Sequence, residues 1–494
     1  MKKYIFLSYL IFISYLSNYR NAFSQDLNLN TWPQFRGINC SGVPYPDQNA
    51  PTDLESGKKI VWEIPIISGA SSPCIWEDKI FLTGFDKEKQ QLQVLCYNRM
   101  NGDLNWKRIV PTKEIERYHV TGNPADATPV TDGERIYVHF GSFGLLCYDF
   151  DGNVVWTKEI PVNADRFGTG TSPILAENLL ILMVRRLATE ERYLLALDSR
   201  SGEQAWKQPL LEAGYSTPII WGKNVVVHCE GFIAGYAIED GSRSWYILVR
   251  THGESTPIVH EEVLYVNAYH YLGHFGFRKQ IPTFDEFLDK YDTNSDMLIT
   301  QQEFSGELFM SDLSDNDGKP IAGSKDIEEI WDWFDYNKDK YLDKIELERY
   351  LNFFTGIDHG ILAIESGGMG DISLSHLLWR ETENVAEVPS PLYYRDRIYT
   401  IKNGGFFSCV NALNGRLIYK TRIKGTGPYF ASPIAANNRI YVASHNGKVV
   451  VLAAGDEMKI LSYNDLGEQI LATPAVVDNK LYLRTENHLF AFGD

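Results

Sequence analysis

The chain has 494 residues, 44% of them hydrophobic and 13% aromatic, which is enough for a large buried core of β-forming side chains. Its formal net charge of −17 at pH 7 argues against nucleic acid or an anionic membrane surface as a partner.

Met1-Lys2-Lys3 followed by apolar Tyr4–Leu16 reads as the start of a signal peptide. The apolar stretch is thirteen residues, too short to span a bilayer. Ala22-Phe23-Ser24 offers a cleavage site, so residues 1–24 are expected to leave and Gln25 to lead the mature chain. Their loss removes Lys2, Lys3 and Arg20 and takes the net charge to −20. The first cysteine is Cys40, so no thiol sits at the junction to take a lipid. The expected location is periplasmic or secreted.

Residues 25–58 read as an N-terminal strap. Within it Thr31-Trp-Pro-Gln-Phe-Arg-Gly37 places Trp32 and Phe35 to cover one end of the core. Lys59–Pro65, with Trp62, reads as a strand with no partner before it.

From there a unit repeats. Its best copy runs from Ala127 to Trp156. Thr128-Pro129 opens a short strand, and Asp132-Gly133 turns the chain. Ile136–Val138 and Leu145–Tyr148 are strand-like, and Asp151-Gly152 turns again before Val154-Val155-Trp156. Ser/Thr-Pro openings fall at Pro73, Pro129, Pro173, Pro218, Pro257, Pro391, Pro433 and Pro474. Most gaps are 39 to 45 residues, but one is 56 and one is 134. A period near 40–45 with four strands per unit predicts an all-β, eight-bladed propeller with an insertion in the longest gap.

The third-to-fourth strand segment is clearest at Ala196-Leu-Asp198-Ser-Arg-Ser201-Gly202-Glu-Gln-Ala-Trp206. Cys96–Trp106 and Gly235–Trp245 keep its spacing, Cys147–Trp156 is one residue shorter, and Cys409–Tyr419 and Ala453–Tyr463 put Tyr at the Trp position. Gly relieves the tight turn. Trp offers a broad face to the next blade and an N–H for a carbonyl. This pattern resembles the quinoprotein-type, or PQQ-like, propeller repeat, and Trp32–Val43 resembles the opening segment of many exported members. The resemblance implies a propeller spanning residues 59–278 and 357–494, docked blade to blade through the Trp positions. It implies little about function, because one fold hosts many.

The last unit stops at His488–Phe492, one strand short. The Trp62 strand can supply the missing edge and close the ring. Strands alternate in direction, so the loops before each Ser/Thr-Pro opening share a face with the second-to-third strand loops. That face gathers Arg117, His119, Asn123, Asp126, Arg166, Tyr215, Arg250, His252, Glu254, Lys424 and Tyr429 into a polar funnel, the default binding site.

Residues 279–356 break the repeat. They replace the second-to-third strand loop of the fifth blade, between Val266 and Ile361. Thr283 and Glu286 form a capping box before a helix. Asp292-Thr-Asn294-Ser-Asp296-Met-Leu298-Ile-Thr300-Gln-Gln-Glu303 and Asp335-Tyr-Asn337-Lys-Asp339-Lys-Tyr341-Leu-Asp343-Lys-Ile-Glu346 both match the EF-hand loop. Side-chain oxygens stand at positions 1, 3 and 5, a carbonyl at 7, a water-bridging side chain at 9 and a bidentate Glu at 12. Met297 and Lys340 replace the usual turn glycine. Asp315-Asn-Asp317-Gly318 lacks a following Glu and reads as a plain loop. The insertion holds 19 acidic and 8 basic residues, more than half of the mature charge. Two bound Ca²⁺ ions are expected.

The six cysteines invite a disulfide reading in an exported chain. The repeat instead makes Cys96, Cys147 and Cys409 small core residues. Two functions remain. One is a non-catalytic propeller that binds a protein or glycan partner at the funnel, with a calcium-stabilised arm on its rim. The other is a PQQ-dependent dehydrogenase for an alcohol or sugar, which would need a carboxylate–Asn calcium site, a general base and stacking groups around the quinone. Asp126, Asn123 and Glu254 are the nominees for that set, but no adjacent-cysteine pair occurs. The first function is preferred.

Overall fold

The computed structural model describes residues 30–54, 59–162, 167–186, 191–270, 284–304, 331, 335, 337–346 and 357–493. The signal-peptide reading, Thr283, Arg166 and the Asp315–Gly318 loop lie outside these residues. No helix among the described residues is long and apolar enough to cross a membrane.

Eight four-stranded antiparallel sheets stand in a ring as propeller blades. Blade three is typical, with Ile174–Ala176, Leu179–Arg186, Glu191–Asp198 and Gln204–Pro209 paired in chain order. Its two middle strands are buried along nearly their whole length, because each blade is sandwiched between two others. The outer strand meets solvent, and only Trp206 in it is buried.

These tryptophans dock the ring. The Trp106, Trp156 and Trp206 indole N–H groups donate to the Phe150, Ser199 and Ile238 carbonyls of the next blade at 2.8–2.9 Å. Each ring lies against a glycine at positive φ, where any Cβ would collide with the indole: Gly152, Gly202 and Gly241 respectively. Blade five has a docking residue that the spacing hid. Trp379 pairs with Ala363 across a long turn and donates to the Ala412 carbonyl at 2.9 Å. Blade seven corrects the reading of Ala453–Tyr463. Here Val451 pairs with Ser462, so Ser462 holds the Trp position, while Tyr463 is 39% exposed.

Ring closure follows the expectation. Ile60–Pro65 pairs antiparallel with His488–Phe492 as the outer strand of blade eight. Trp62 then docks blade eight on blade one, donating to the Arg99 carbonyl at 3.0 Å with its ring against Gly102.

The Ser/Thr-Pro openings have a structural purpose of their own. The backbone N–H of Ser72 donates to the Thr128 hydroxyl of the next blade. Thr128 donates to Ser172, Ser172 to Thr217, Thr217 to Thr256 and Thr256 to Ser390. Ser390 donates to Ser432, Ser432 to Thr473, and Thr473 back to Ser72. The eight bonds measure 2.9–3.2 Å, run in one direction and close on themselves around the propeller axis. Each hydroxyl satisfies a buried N–H that strand pairing cannot reach.

The strap crosses the opposite end of the barrel from the funnel. Thr31–Trp32 adds a fifth strand to blade one. The Pro33 carbonyl accepts from Thr131, the Asn39 amide exchanges two bonds with Ile220, and Arg36 Nη2 donates to the Pro391 carbonyl at 2.8 Å. The Gly42 carbonyl then accepts from Ala435, and Leu54 donates to Asn464. One segment thus ties together blades one, two, four, six and seven. Trp32 is 1% exposed at its centre.

The insertion leaves the propeller after Ala268 and returns at Gly360, the second and third strands of blade five. All six cysteines are buried and unbridged, Cys40 included. Burial raises Cys40 and Cys96 to about 12, far from reactive thiolates.

Candidate functional site

Two places gather functional side chains: the loops of the insertion and the axial cavity of the funnel. In the insertion, the helix Phe284–Tyr291 forms where the spacing predicts. Its Phe287 and Tyr291 pack on Phe304, with ring centroids 5.9 and 4.5 Å apart. The two twelve-residue loops lie side by side. Ile299 pairs with Leu342 and Thr300 with Tyr341 in a short antiparallel ladder, and both apolar members are fully buried.

Each loop folds around its own acids. In the first, Asp292 Oδ2 accepts from the Met297 N–H at 2.9 Å and Asp292 Oδ1 from Ser295 at 2.7 Å. Asn294 and Asp296 accept from Asp296 and Leu298. Glu303 is held by Thr300 and Thr293, whose backbone and hydroxyl donors bring it down to about 2. In the second, Asp335 Oδ2 accepts from Lys340, Asp339 from Tyr341, and Glu346 from Asn337 and Asp343. One carboxylate oxygen from each of Asp335, Asp339 and Glu346 lies within 4.8 Å of the other two. Met297 and Lys340 take φ of 64° and 75°, the left-handed turn that glycine normally makes. For a side-chain-bearing residue that costs about 1 kcal/mol.

In the funnel, a cavity of about 330 Å³ lies on the propeller axis. The eight-hydroxyl ring lines it, and Phe35 of the strap reaches it from the other end. Of the expected funnel residues, His119, Asp126, Tyr215 and Glu254 line this cavity. Asn123 braces it by donating its N–H to Asp126 Oδ2 at 3.0 Å. The others among the described residues do not converge. Arg250 is buried in an ion pair with Asp358, 2.5 Å away at the foot of the insertion. His252 stacks on His270 at 4.4 Å, Tyr429 is packed in the core of blades six and seven, and Arg117 and Lys424 are exposed. Sequence reasoning missed Phe167, Glu387 and Phe430 in the lining. It also saw the Ser/Thr-Pro pattern without its destination.

Asp126 Oδ1 and Glu254 Oε2 are buried with no hydrogen-bond partner among the described residues. Desolvation raises Asp126 to about 7 and Glu254 to about 8. Both acids therefore hold protons in the folded chain that the unfolded chain releases near its ordinary carboxylate values. Their stabilising contribution is present at low pH and is lost as pH rises through about 7 to 8. The Asp126→Asn/Glu254→Gln variant should therefore melt above wild type at pH 9, by roughly 2 °C or more, with the gap closing toward pH 4. His139 and His228, lowered to about 4 by burial, act in the opposite sense below pH 6.5 but equally in both proteins. A gap between the melting curves that does not change with pH would refute this assignment.

Residues 151–274 match a family model described as outer membrane protein assembly factor BamB. No curated protein matches the chain. Among solved structures, BamB from Moraxella catarrhalis is 12% identical, with 88% of this chain and 97% of that one covered at a TM-score of 0.54. Quinohemoprotein alcohol dehydrogenase from Comamonas testosteroni is 11% identical, covering 95% and 82% at a TM-score of 0.58. A europium-containing methanol dehydrogenase is 9% identical, covering 95% and 99% at a TM-score of 0.53. At these identities the likeness is one of fold, shared by a named assembly factor and by dehydrogenases alike. The chain is an eight-bladed β-propeller, the fold it shares with that assembly factor and those dehydrogenases.

Proposed function

We propose that this is an exported, non-catalytic propeller that binds a protein or glycan partner on its funnel face, with a calcium-binding EF-hand pair as an arm on the rim. The arm carries the reading. Two twelve-residue loops with oxygen side chains at positions 1, 3, 5 and 12 are paired through positions 8 and 9 of the first and 7 and 8 of the second, and both have left-handed turns at position 6. Asp292, Asn294, Asp296, Thr300 and Glu303 would hold one ion with the Leu298 carbonyl. Asp335, Asn337, Asp339, Asp343 and Glu346 would hold the other with that of Tyr341. Calcium supplies charge that lets these carboxylates share a site; it does no chemistry here. With a strained turn in each loop, the dissociation constants are expected on the order of 10⁻⁵ to 10⁻³ M, in the extracellular range. Calorimetry on chain 25–494 tests this against Glu303→Gln/Glu346→Gln. Two binding events in wild type and none in the variant are expected. No heat at millimolar calcium, or equal heat in both proteins, overturns it.

The dehydrogenase reading draws on Asp126 and Glu254 in the cavity. The lining does not fit PQQ well. PQQ carries three carboxyl groups, and the described lining contains two unpaired acids and Glu387 but no Lys or Arg. Asp126 and Glu254 stand on blades two and five, three blades apart round the ring. Adding PQQ and calcium to the purified chain should give no bound quinone spectrum and no dye reduction. Stoichiometric binding at micromolar PQQ would reverse the order of the two readings.

A further inference from the structure

The axial cavity has a chemistry more specific than general funnel polarity. Its floor is the closed ring of hydroxyls. Each hydroxyl oxygen already accepts a backbone N–H. The ring oxygens are therefore engaged as acceptors, while their O–H groups remain available as donors; none of them donates to another described residue. Two carboxyl residues also line the cavity, Asp126 on blade two and Glu254 on blade five, and one oxygen of each, Asp126 Oδ1 and Glu254 Oε2, is buried with no hydrogen-bond partner among the described residues. Aromatic rings form a third element. Phe167 and Tyr215 meet edge to face with centroids 5.9 Å apart, and His119 lies 5.5 Å from Phe167. Phe430 stands on the wall contributed by blade seven.

A ligand for this cavity must accept from hydroxyls, donate to carboxyls and offer an apolar face to aromatic rings. An anion fails, because the described lining has acids and no Lys or Arg. A simple ammonium would satisfy the acids and leave the ring donors unused. A neutral sugar meets all three demands, since each of its hydroxyls both donates and accepts and its C–H face stacks on aromatic rings. The volume of about 330 Å³ is at the small end for ligand pockets and suits one sugar ring. We infer that the axial cavity binds a single neutral hexose or hexosamine residue, free or at the end of a glycan, held between the hydroxyl ring, the Asp126 and Glu254 carboxyls and the Phe167–Tyr215 pair. The inference rests on the reading of the funnel as a binding face, and names what that face recognises.

Saturation-transfer NMR on chain 25–494 tests it, using D-glucose, D-galactose and N-acetylglucosamine one at a time at millimolar concentration. At least one sugar should receive saturation at its ring C–H protons. That signal should fall at least fivefold in Asp126→Ala/Glu254→Ala, which removes both carboxyl acceptors, and in Tyr215→Ala, with melting at pH 5 showing that the variants are folded. No transfer to any of the three sugars overturns the inference, as does transfer that is equal in the folded variants. Spermidine provides the competing arm: if it binds through the same two carboxyls and no sugar does, the site is a cation site. The arm's calcium heat is independent of all these outcomes, so the sugar inference can fail while the calcium reading stands, and the reverse.

Discussion

Deleting residues 25–66 is expected to lower the unfolding midpoint of the whole propeller by tens of degrees or to prevent folding. The deletion removes the outer strand of blade eight and leaves His488–Phe492 as a bare apolar edge. It also removes Trp62, the indole that closes blade eight on blade one, and Trp32, buried at the strap's centre. Either tryptophan alone, cut to alanine, should cost about 3–5 kcal/mol. Trp62→Phe keeps an aromatic face and loses the bond to the Arg99 carbonyl, so it should cost about 1 kcal/mol for that bond besides any loss in packing. The rank order deletion, Trp62→Ala, Trp62→Phe can be read from thermal unfolding of the three chains beside wild type. An unchanged midpoint for the deletion would show that the ring closes without the strap.

The fold was legible because its signals are local and repeated. Ser/Thr-Pro openings, and in several units a glycine turn with a tryptophan ten residues after a small residue, can be counted along the chain, and eight openings in register leave little room for another architecture. The count failed where loops changed length. Ala363 reaches Trp379 across sixteen residues, so the docking indole of blade five was out of step with its siblings. In blade seven the turn is one residue longer, and the pairing falls on Ser462 instead of Tyr463. A one-residue slip sends a side chain to the other face of the strand, so Tyr463 points outward.

The site was legible only in part, for a different reason. The insertion loops carry their acidic pattern within twelve residues, and the ladder between Ile299 and Leu342 forms between those two segments. The funnel has no such period. Loop residues of similar polarity have opposite fates: Asp126 and Glu254 face the cavity, while Arg250 turns away to Asp358. Nothing local distinguishes them, because the partner of Arg250 lies beyond the whole insertion.

The hydroxyl ring joins these two cases, since its residues were visible and their bonds were not. Replacing Thr128 or Thr256 by Val keeps the shape and removes the acceptor. The N–H of Ser72 or Thr217 is then buried without a partner, at a cost of about 1–3 kcal/mol each. Thr128→Ser and Thr256→Ser retain the hydroxyl and should lose less. The two sites lie three blades apart, so independent bonds predict that the double Val variant loses the sum of the two to within about 0.5 kcal/mol. A ring closed on itself offers another outcome. Each bond fixes the distance between neighbouring blades, and opening two points can relax the blades between them, which would make the loss exceed the sum. Urea midpoints of the two Val chains, their Ser counterparts and the double variant separate the cases. Val chains as stable as wild type would mean that the hydroxyls serve the cavity alone, and that the tryptophans and the Trp62 strand hold the blades together without them.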